Sequence, residues 1–203
     1  MTKHTIINIG RSFGSGGGYV GHAIGEKLGI PFYDNELISK AAEESGHSRS
    51  LFAHEEKRSL FNMSSFFVSG RPGYMDGNYA TDNMLFEVQS AVIRELAQKG
   101  DAIFIGRCAD YILRDLPCLN VFVCAPEDYR IRRLMESDGM TEDQASKLIH
   151  RKDRTRETYY NYYTFGSWGR ADNYHLCIDS SALGIDGTAD YIIDFGRRTG
   201  KIL

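Results

Sequence analysis

INIGRSFGSGGGYVG, residues 7–21, is the stretch from which the rest of the chain can be read. TIINI (5–9) has the β-branched character of a short strand closed by Gly10. From Val20 onward, Val20, Ala23, Ile24 and Leu28 recur at three- to four-residue spacing and predict a helix that Gly29 can stop. Between these elements RSFGSGGGYVG (11–21) holds five glycines in eleven residues, more freedom than a strand-to-helix turn requires. In an open parallel sheet, ligands bind at the carboxyl ends of the strands, where a glycine-rich turn lets backbone N–H groups approach a phosphate at a helix N-terminus. Ser12, Phe13, Gly14, Ser15, Gly16, Gly17 and Gly18 are therefore the candidate phosphate-binding residues.

Outward from the loop, short apolar runs alternate with amphipathic ones. IPFY (30–33) is a second strand leading to Asp34, a good N-cap for NELISKAAEESG (35–46). Residues 47–81 mix aromatic clusters with the turn signals RPG and DGN, and are expected to form a mobile substrate lobe. DNMLFEVQSAVIRELAQKG (82–100) predicts a long helix, AIFIG (102–106) and LNVFVCA (119–125) buried strands, and PEDYRIRRLMES (126–137) an arginine-rich helix. Thr141 with Gln144 forms a capping box for TEDQASKLIHRKDRTRETYY (141–160). YHLCID (174–179) and GTADYIIDF (187–195) supply a fifth strand and a closing helix. Five strands separated by helices predict an α/β doubly wound parallel sheet with right-handed crossovers, in one domain over residues 1–203.

Composition narrows the function. A net charge of −3 argues against a broad nucleic-acid surface. The local exception, HRKDRTR (150–156), has four cations and one acid. No apolar run approaches the roughly 18 residues of a membrane span, and MTKHTIINIG lacks the apolar core of a signal peptide, so the expected location is the cytoplasm, without a membrane or nucleic-acid partner. Cys108, Cys118, Cys124 and Cys177 form no CxxC pair, and His22, His47, His54 and His175 show no ligand spacing. No metal site built from protein side chains is expected.

Three readings of the loop remain open. It can be a flexible turn. It can be a dinucleotide site, since Gly16, Gly18 and Gly21 satisfy GxGxxG and Asp34 ends the second strand where a ribose-binding acid would lie, although Arg11 through Ser15 intervene after Gly10. It can be a mononucleotide loop of the GxxxxGK[ST] kind, which fits best in length and position. Aligned on Gly14, Ser15 and Gly16, the lysine position of that motif holds Gly17 and the hydroxyl position Gly18. Arg11 is then the nearest candidate cation.

Taken together, INIGRSFGSGGGYVG, KLGIPFYDNELI, IFIGRCADYIL and HRKDRTRETYYNYYTFGSWGRADNYHLCIDSS resemble the cytidylate kinase-like family of P-loop nucleoside monophosphate kinases over almost the whole chain. The resemblance implies a three-layer P-loop NTPase fold with a five-stranded parallel sheet, a small helical monophosphate-binding lobe at 35–81 and a lid at 150–170. It implies ATP-dependent phosphoryl transfer, with magnesium, to a nucleoside monophosphate or a similar small phosphate acceptor. A family Gly-Arg-Asp motif corresponds to Gly106, Arg107 and Cys108, so Arg107 is expected at the acceptor phosphate with Asp110 and Asp34 nearby, and Cys108 stands where the family has an acid. The lid motif Asp-Arg-x-Arg corresponds to Asp153, Arg154, Thr155 and Arg156.

Such arginines suit phosphoryl transfer on physical grounds, because the reaction spreads negative charge that a bidentate, permanently charged fork can stabilise. Arg154, Arg156 and Arg11 are the candidate catalytic cations. On a regular helix Arg151 and Arg154 share a face and Arg156 points aside; Arg154 is the first choice among them. Magnesium is expected to be held through phosphate oxygens and water, with Ser12 or Ser15 as the substitute hydroxyl. YYNYY (159–163) and Trp168 are expected to pack rather than to bind. Because the loop lacks its lysine and hydroxyl, the competing expectation is a nucleotide-binding module without efficient transfer.

Overall fold

Alternation along the strands sorts their side chains between two cores in the computed structural model, which describes residues 4–44 and 79–202. Its elements are β1 (Ile6–Arg11), α1 (Gly17–Leu28), β2 (Phe32–Tyr33), α2 (Asn35–Glu44), α3 (Tyr79–Lys99), β3 (Ala102–Ile105), α4 (Ala109–Ile112), β4 (Cys118–Cys124), α5 (Glu127–Asp138), α6 (Glu142–Thr164), a 3-10 turn (Ala171–Asn173), β5 (Leu176–Asp179) and α7 (Ser180–Arg198). The strands lie in the order β2-β3-β1-β4-β5, every pair parallel. Ile7, Ile9, Ile103, Ile105, Val121 and Val123 pack on one face against Val20 and Ile24 of α1 and Ala189 and Ile192 of α7. Ile6, Ala102 and Phe104 turn to the other, against Ile38 of α2, Val92 and Ile93 of α3 and Ile112 of α4. Each large side chain so buried contributes about 1.5–3 kcal/mol. The neighbouring strands β1 and β4 are registered by polar contact as well: Asn8 lies opposite Asn120, and its Nδ2 donates to Asn120 Oδ1 at 2.8 Å.

The expected sheet and its helices are present, with informative shifts at their edges. β1 runs past Ile9 to Arg11, because β4 is long enough to pair Gly10 with Phe122 and Arg11 with Val123. Arg11 is thus the last residue of a strand rather than part of the loop. The closing helix starts at Ser180, where Asp179 Oδ1 accepts the Ser181 N–H at 2.8 Å. A kink at Gly184 (φ 67, ψ −176) separates this first turn from the periodic segment read at 187–195. α4 is a single turn that its four residues are too short to announce by periodicity. α6 continues to Thr164, so YYNYY is helical.

The order of strands sets the dinucleotide reading aside: in that fold the first two strands are neighbours, whereas here β3 lies between β1 and β2. The substrate lobe at 35–81 falls largely on residues 45–78, outside the described residues. Among the described residues no helix is long and apolar enough to cross a membrane.

Candidate active site

The loop turns the chain from the carboxyl end of β1 into α1. Gly14 and Gly16 both adopt φ 80, a left-handed conformation that side chains resist. Gly16 is the N-cap of α1 without a side-chain acceptor, and the first turn carries no acid. The Gly17 N–H reaches Ser15 Oγ at 3.4 Å, and no carboxylate in the first turn compensates the positive end of the helix. Ser15 is fully buried, with its Oγ 2.8 Å from Ser12 O and 3.1 Å from Val123 O. Ser180 Oγ donates to Ser15 O. The Ser15 hydroxyl braces the loop, which leaves Ser12 as the serine of the loop in the wall of the adjoining cavity.

Three arginines converge above the strand ends. The stem of Arg11 crosses Gly17, where an added Cβ would come within 2.5 Å of Arg11 Cβ. Its guanidinium lies against Gly106, at whose bare α-carbon a Cβ would strike Arg11 Nη1. Burial, then Arg156 and Arg107, lower the Arg11 pKa to about 9, with Asp34 opposing them. Arg11 stays protonated at neutral pH but is short of negative partners. Arg156 donates from Nη1 to Arg11 O at 3.2 Å and lies 5.3 Å from the Phe13 ring centre; burial lowers its pKa too, with Asp153 opposing. Arg107 projects from a tight turn in which Gly106, Arg107 and Cys108 are all left-handed, at φ 74, 57 and 55. Such a conformation costs a non-glycine residue roughly 1–2 kcal/mol. The turn sets the Arg107 guanidinium 5.6 Å above the Tyr159 ring.

One carboxylate ties these parts together. Asp153 Oδ1 accepts the Phe13 N–H at 2.6 Å, and its Oδ2 accepts Arg130 Nη1 at 2.6 Å. Arg130 also donates to Phe13 O at 3.1 Å. Asp153 thus pins the loop and α5 to α6.

Two cavities open here and share a wall. The larger, about 490 Å³, is bounded by the glycines of the loop, Asp34 and Arg133. The smaller, about 260 Å³, is bounded by Arg107, Asp110, Tyr159, Tyr160, Trp168 and Tyr174. Arg11, Phe13, Ile105 and Arg156 belong to both. Tyr160 Oη donates to Asp110 Oδ2 at 2.8 Å. Burial pushes the Asp110 carboxyl upward, and this hydrogen bond opposes the shift. The buried Cys108 thiol is pushed far up by burial first and Asp110 second, so it is no nucleophile.

The structure brings together Arg11, Arg107, Arg156, Asp110 and the loop. Asp34 caps α2, accepting the Leu37 N–H at 3.0 Å, and stands on the loop side, in the wall of the larger cavity. Arg154 is exposed and borders neither cavity, whereas Arg156, aside from Arg151 and Arg154, points into both. The aromatic run does pack, Tyr163 stacking on Phe86 at 4.0 Å, but Tyr159, Tyr160 and Trp168 also form cavity wall. Asn35, Arg130 and Arg133 escaped sequence reading. Asn35 Oδ1 is buried at the smaller cavity with no partner among the described residues. The i, i+3 spacing of Arg130 and Arg133 on the helix after β4 is the signal that could have drawn attention to that pair.

The model of the cytidylate kinase-like family matches residues 6–182. The chain belongs to that family. The cytidylate kinase of Aeropyrum pernix is 27% identical over 107 residues, 52% of this chain and 62% of that enzyme, so the match spans less than two thirds of that relative. An uncharacterized protein from Eubacterium ventriosum superposes with a TM-score of 0.72 at 28% identity, covering 94% of this chain and 96% of that one. Shikimate kinase from Bacteroides thetaiotaomicron gives a TM-score of 0.54 at 15% identity, covering 95% and 98%, a likeness of fold alone. The five-stranded parallel sheet with helices on both faces is that of the P-loop kinases, and membership of a kinase-like family supports nucleotide-dependent phosphoryl transfer in general.

Proposed function

We propose that the chain transfers the terminal phosphoryl group of ATP to a nucleoside monophosphate or a similar small phosphate acceptor. The observation that carries this reading is the wall between the two cavities, where Arg11, with no ion pair among the described residues, and Arg156, whose carboxylate neighbour Asp153 lies at 3.9 Å, adjoin Arg107. The loop from Ser12 to Gly18 fits a polyphosphate, offering the N–H groups of Gly14, Gly16 and Gly18, which have no partner among the described residues, and bare α-carbons at the positive end of α1. The backbone of Ser15 through Gly18 would hold the donor phosphates, and Arg107 would anchor the acceptor phosphate. An acceptor oxygen then forms the new P–O bond as the bond to the donor's leaving phosphate breaks. Arg11 and Arg156 stand between donor and acceptor and stabilise the charge that spreads over the transferring group. Asp110 and Tyr160 offer polar contacts in the wall of the acceptor cavity. Residues 150–170 act as the lid, with Asp153 setting its position against the loop. Arg154, on the outer face, adds charge to the lid without a place in either wall. Magnesium neutralises nucleotide phosphates when bound, and Ser12 is the loop hydroxyl best placed to help hold it.

A second reading rests on Gly17 and Gly18, which leave the loop without the lysine and hydroxyl of the common motif: a nucleotide-binding module with little transfer. ADP release from ATP and magnesium, measured with a panel of nucleoside monophosphates and with no acceptor, separates the two. Release that requires one acceptor and falls about 10²–10³-fold in Arg156→Ala supports transfer. ATP binding with no acceptor-dependent release supports the binding module.

A further inference from the structure

Arg133 is the charged side chain at the loop that neither the fold nor the lid motif accounts for. It projects from α5, one turn beyond Arg130, which is spent on Asp153 and Phe13 O. Its guanidinium lies directly over Gly16, where a Cβ would collide with Arg133 Nη1. Nη1 is buried, with no hydrogen-bond partner among the described residues. The guanidinium also stands 5.1 Å above the ring of Tyr19, in the first turns of α1. Gly16, Gly17, Gly18 and Arg133 wall the same cavity. By contrast, its neighbour Arg132 points outward and pairs with Asp128 at 2.9 Å.

Resting on the reading of this loop as a polyphosphate site, we propose that Arg133 supplies from α5 the positive charge that a loop of this form carries on its own lysine. The exchange is written in the glycines. A lysine at position 17 is blocked by the stem of Arg11, since a Cβ there lies within 2.5 Å of Arg11 Cβ and 3.2 Å of Val123 Cβ. The bare α-carbon of Gly16 leaves the space that the Arg133 guanidinium fills, with a donor buried and ready for an anionic oxygen. A buried N–H without a partner is costly, and a phosphate oxygen would satisfy it with a charge-assisted bond. Arg11 serves the boundary between the cavities, and Arg133 the donor side alone, being absent from the smaller cavity's wall.

The test is titration of the wild-type chain, Arg133→Met, Arg133→Lys and Arg132→Met with inorganic tripolyphosphate and with ATP, by calorimetry at two salt concentrations. The expected result is a loss of about 10- to 100-fold in affinity for both ligands in Arg133→Met, partial recovery in Arg133→Lys, and a smaller salt dependence in the methionine variant. Arg132→Met, which removes the same charge from the outer face, loses less than about threefold. Thermal unfolding of each free variant identifies any that fail to fold, and the lysine variant keeps the comparison of charge available if the methionine variant does. Wild-type binding with Arg133→Met equal to it within twofold overturns the role of Arg133 and leaves the phosphate loop standing. A wild-type chain that binds neither ligand overturns the loop itself, and the role of Arg133 with it.

Discussion

Replacing Gly17 by alanine tests whether this loop is glycine-rich because arginine side chains need the room. A Cβ at Gly17 meets Arg11 Cβ at 2.5 Å and Val123 Cβ at 3.2 Å, both atoms fixed to strand backbone and unable to swing aside. At Gly18, one residue further along α1, a Cβ meets nothing within 4 Å. Both residues are helical, and both substitutions gain the same intrinsic preference of alanine over glycine, up to about 1 kcal/mol. Comparing the two variants cancels that gain and isolates the steric cost, which for overpacking of this kind is about 1–3 kcal/mol. In a chain of this size the difference corresponds to roughly 2–12 °C in unfolding midpoint, with Gly17→Ala the less stable. Differential scanning calorimetry on the free protein reads it directly. If Gly17→Ala unfolds at the same temperature as Gly18→Ala, the crossing of Arg11 over the loop is not what keeps position 17 bare.

Other substitutions probe the remaining parts. Asp153→Ala leaves the Phe13 N–H and Arg130 without their shared partner, the Arg130 and Asp153 side chains being only 12% and 18% exposed, and should cost about 3 kcal/mol in chemical denaturation. Arg156→Ala should reduce phosphoryl transfer far more than Arg154→Ala, because only the former borders both cavities; steady-state kinetics with one acceptor decides. Arg107→Ala should raise the acceptor KM about tenfold or more while leaving ATP affinity within a few-fold, as a lost charge-assisted contact at the acceptor end would. Asp110 has its carboxyl raised in the fold, so its contribution is fully favourable below the ordinary carboxylate range and is lost as pH rises through the raised value. The unfolding midpoint of the wild type, relative to the non-titrating Asp110→Asn, should therefore fall as pH climbs from about 4 through that value and then level off.

The sheet was legible because its signals are local. TIINI, AIFIG and LNVFVCA are short apolar runs of the kind two-sided burial demands, and Thr141 with Gln144 makes the expected capping box, Gln144 N–H donating to Thr141 Oγ1 at 3.3 Å. The glycine-rich turn after β1 and the placing of Arg107 in the wall of the adjoining cavity were legible for the same reason, through glycine density and a short motif. What sequence could not supply was direction. HRKDRTR is one basic run, yet the helix turns Arg154 to solvent and Arg156 into the candidate site, and the choice depends on which face of α6 is held against α5 and the end of β1. Arg11 looked like a loop residue because the length of β4, which extends its strand, is not visible from the first strand alone. Arg133 lay in an ordinary amphipathic helix, and only the crossing of α5 over Gly16 gives it a role. Asp153 combined both cases: its motif was read, but its contact with Phe13 N–H, 140 residues away in the chain, is a product of tertiary structure.

The measurement that tests the central claim most directly follows the phosphoryl group itself. The chain is incubated with ATP labelled at the terminal phosphate, magnesium and each nucleoside monophosphate in turn, and the products are separated and weighed by mass spectrometry. The two-cavity arrangement predicts label on the acceptor phosphate for at least one acceptor, at a rate reduced about 10²–10³-fold in Arg156→Ala. Label found only in free phosphate, or unchanged transfer in Arg156→Ala, would contradict it.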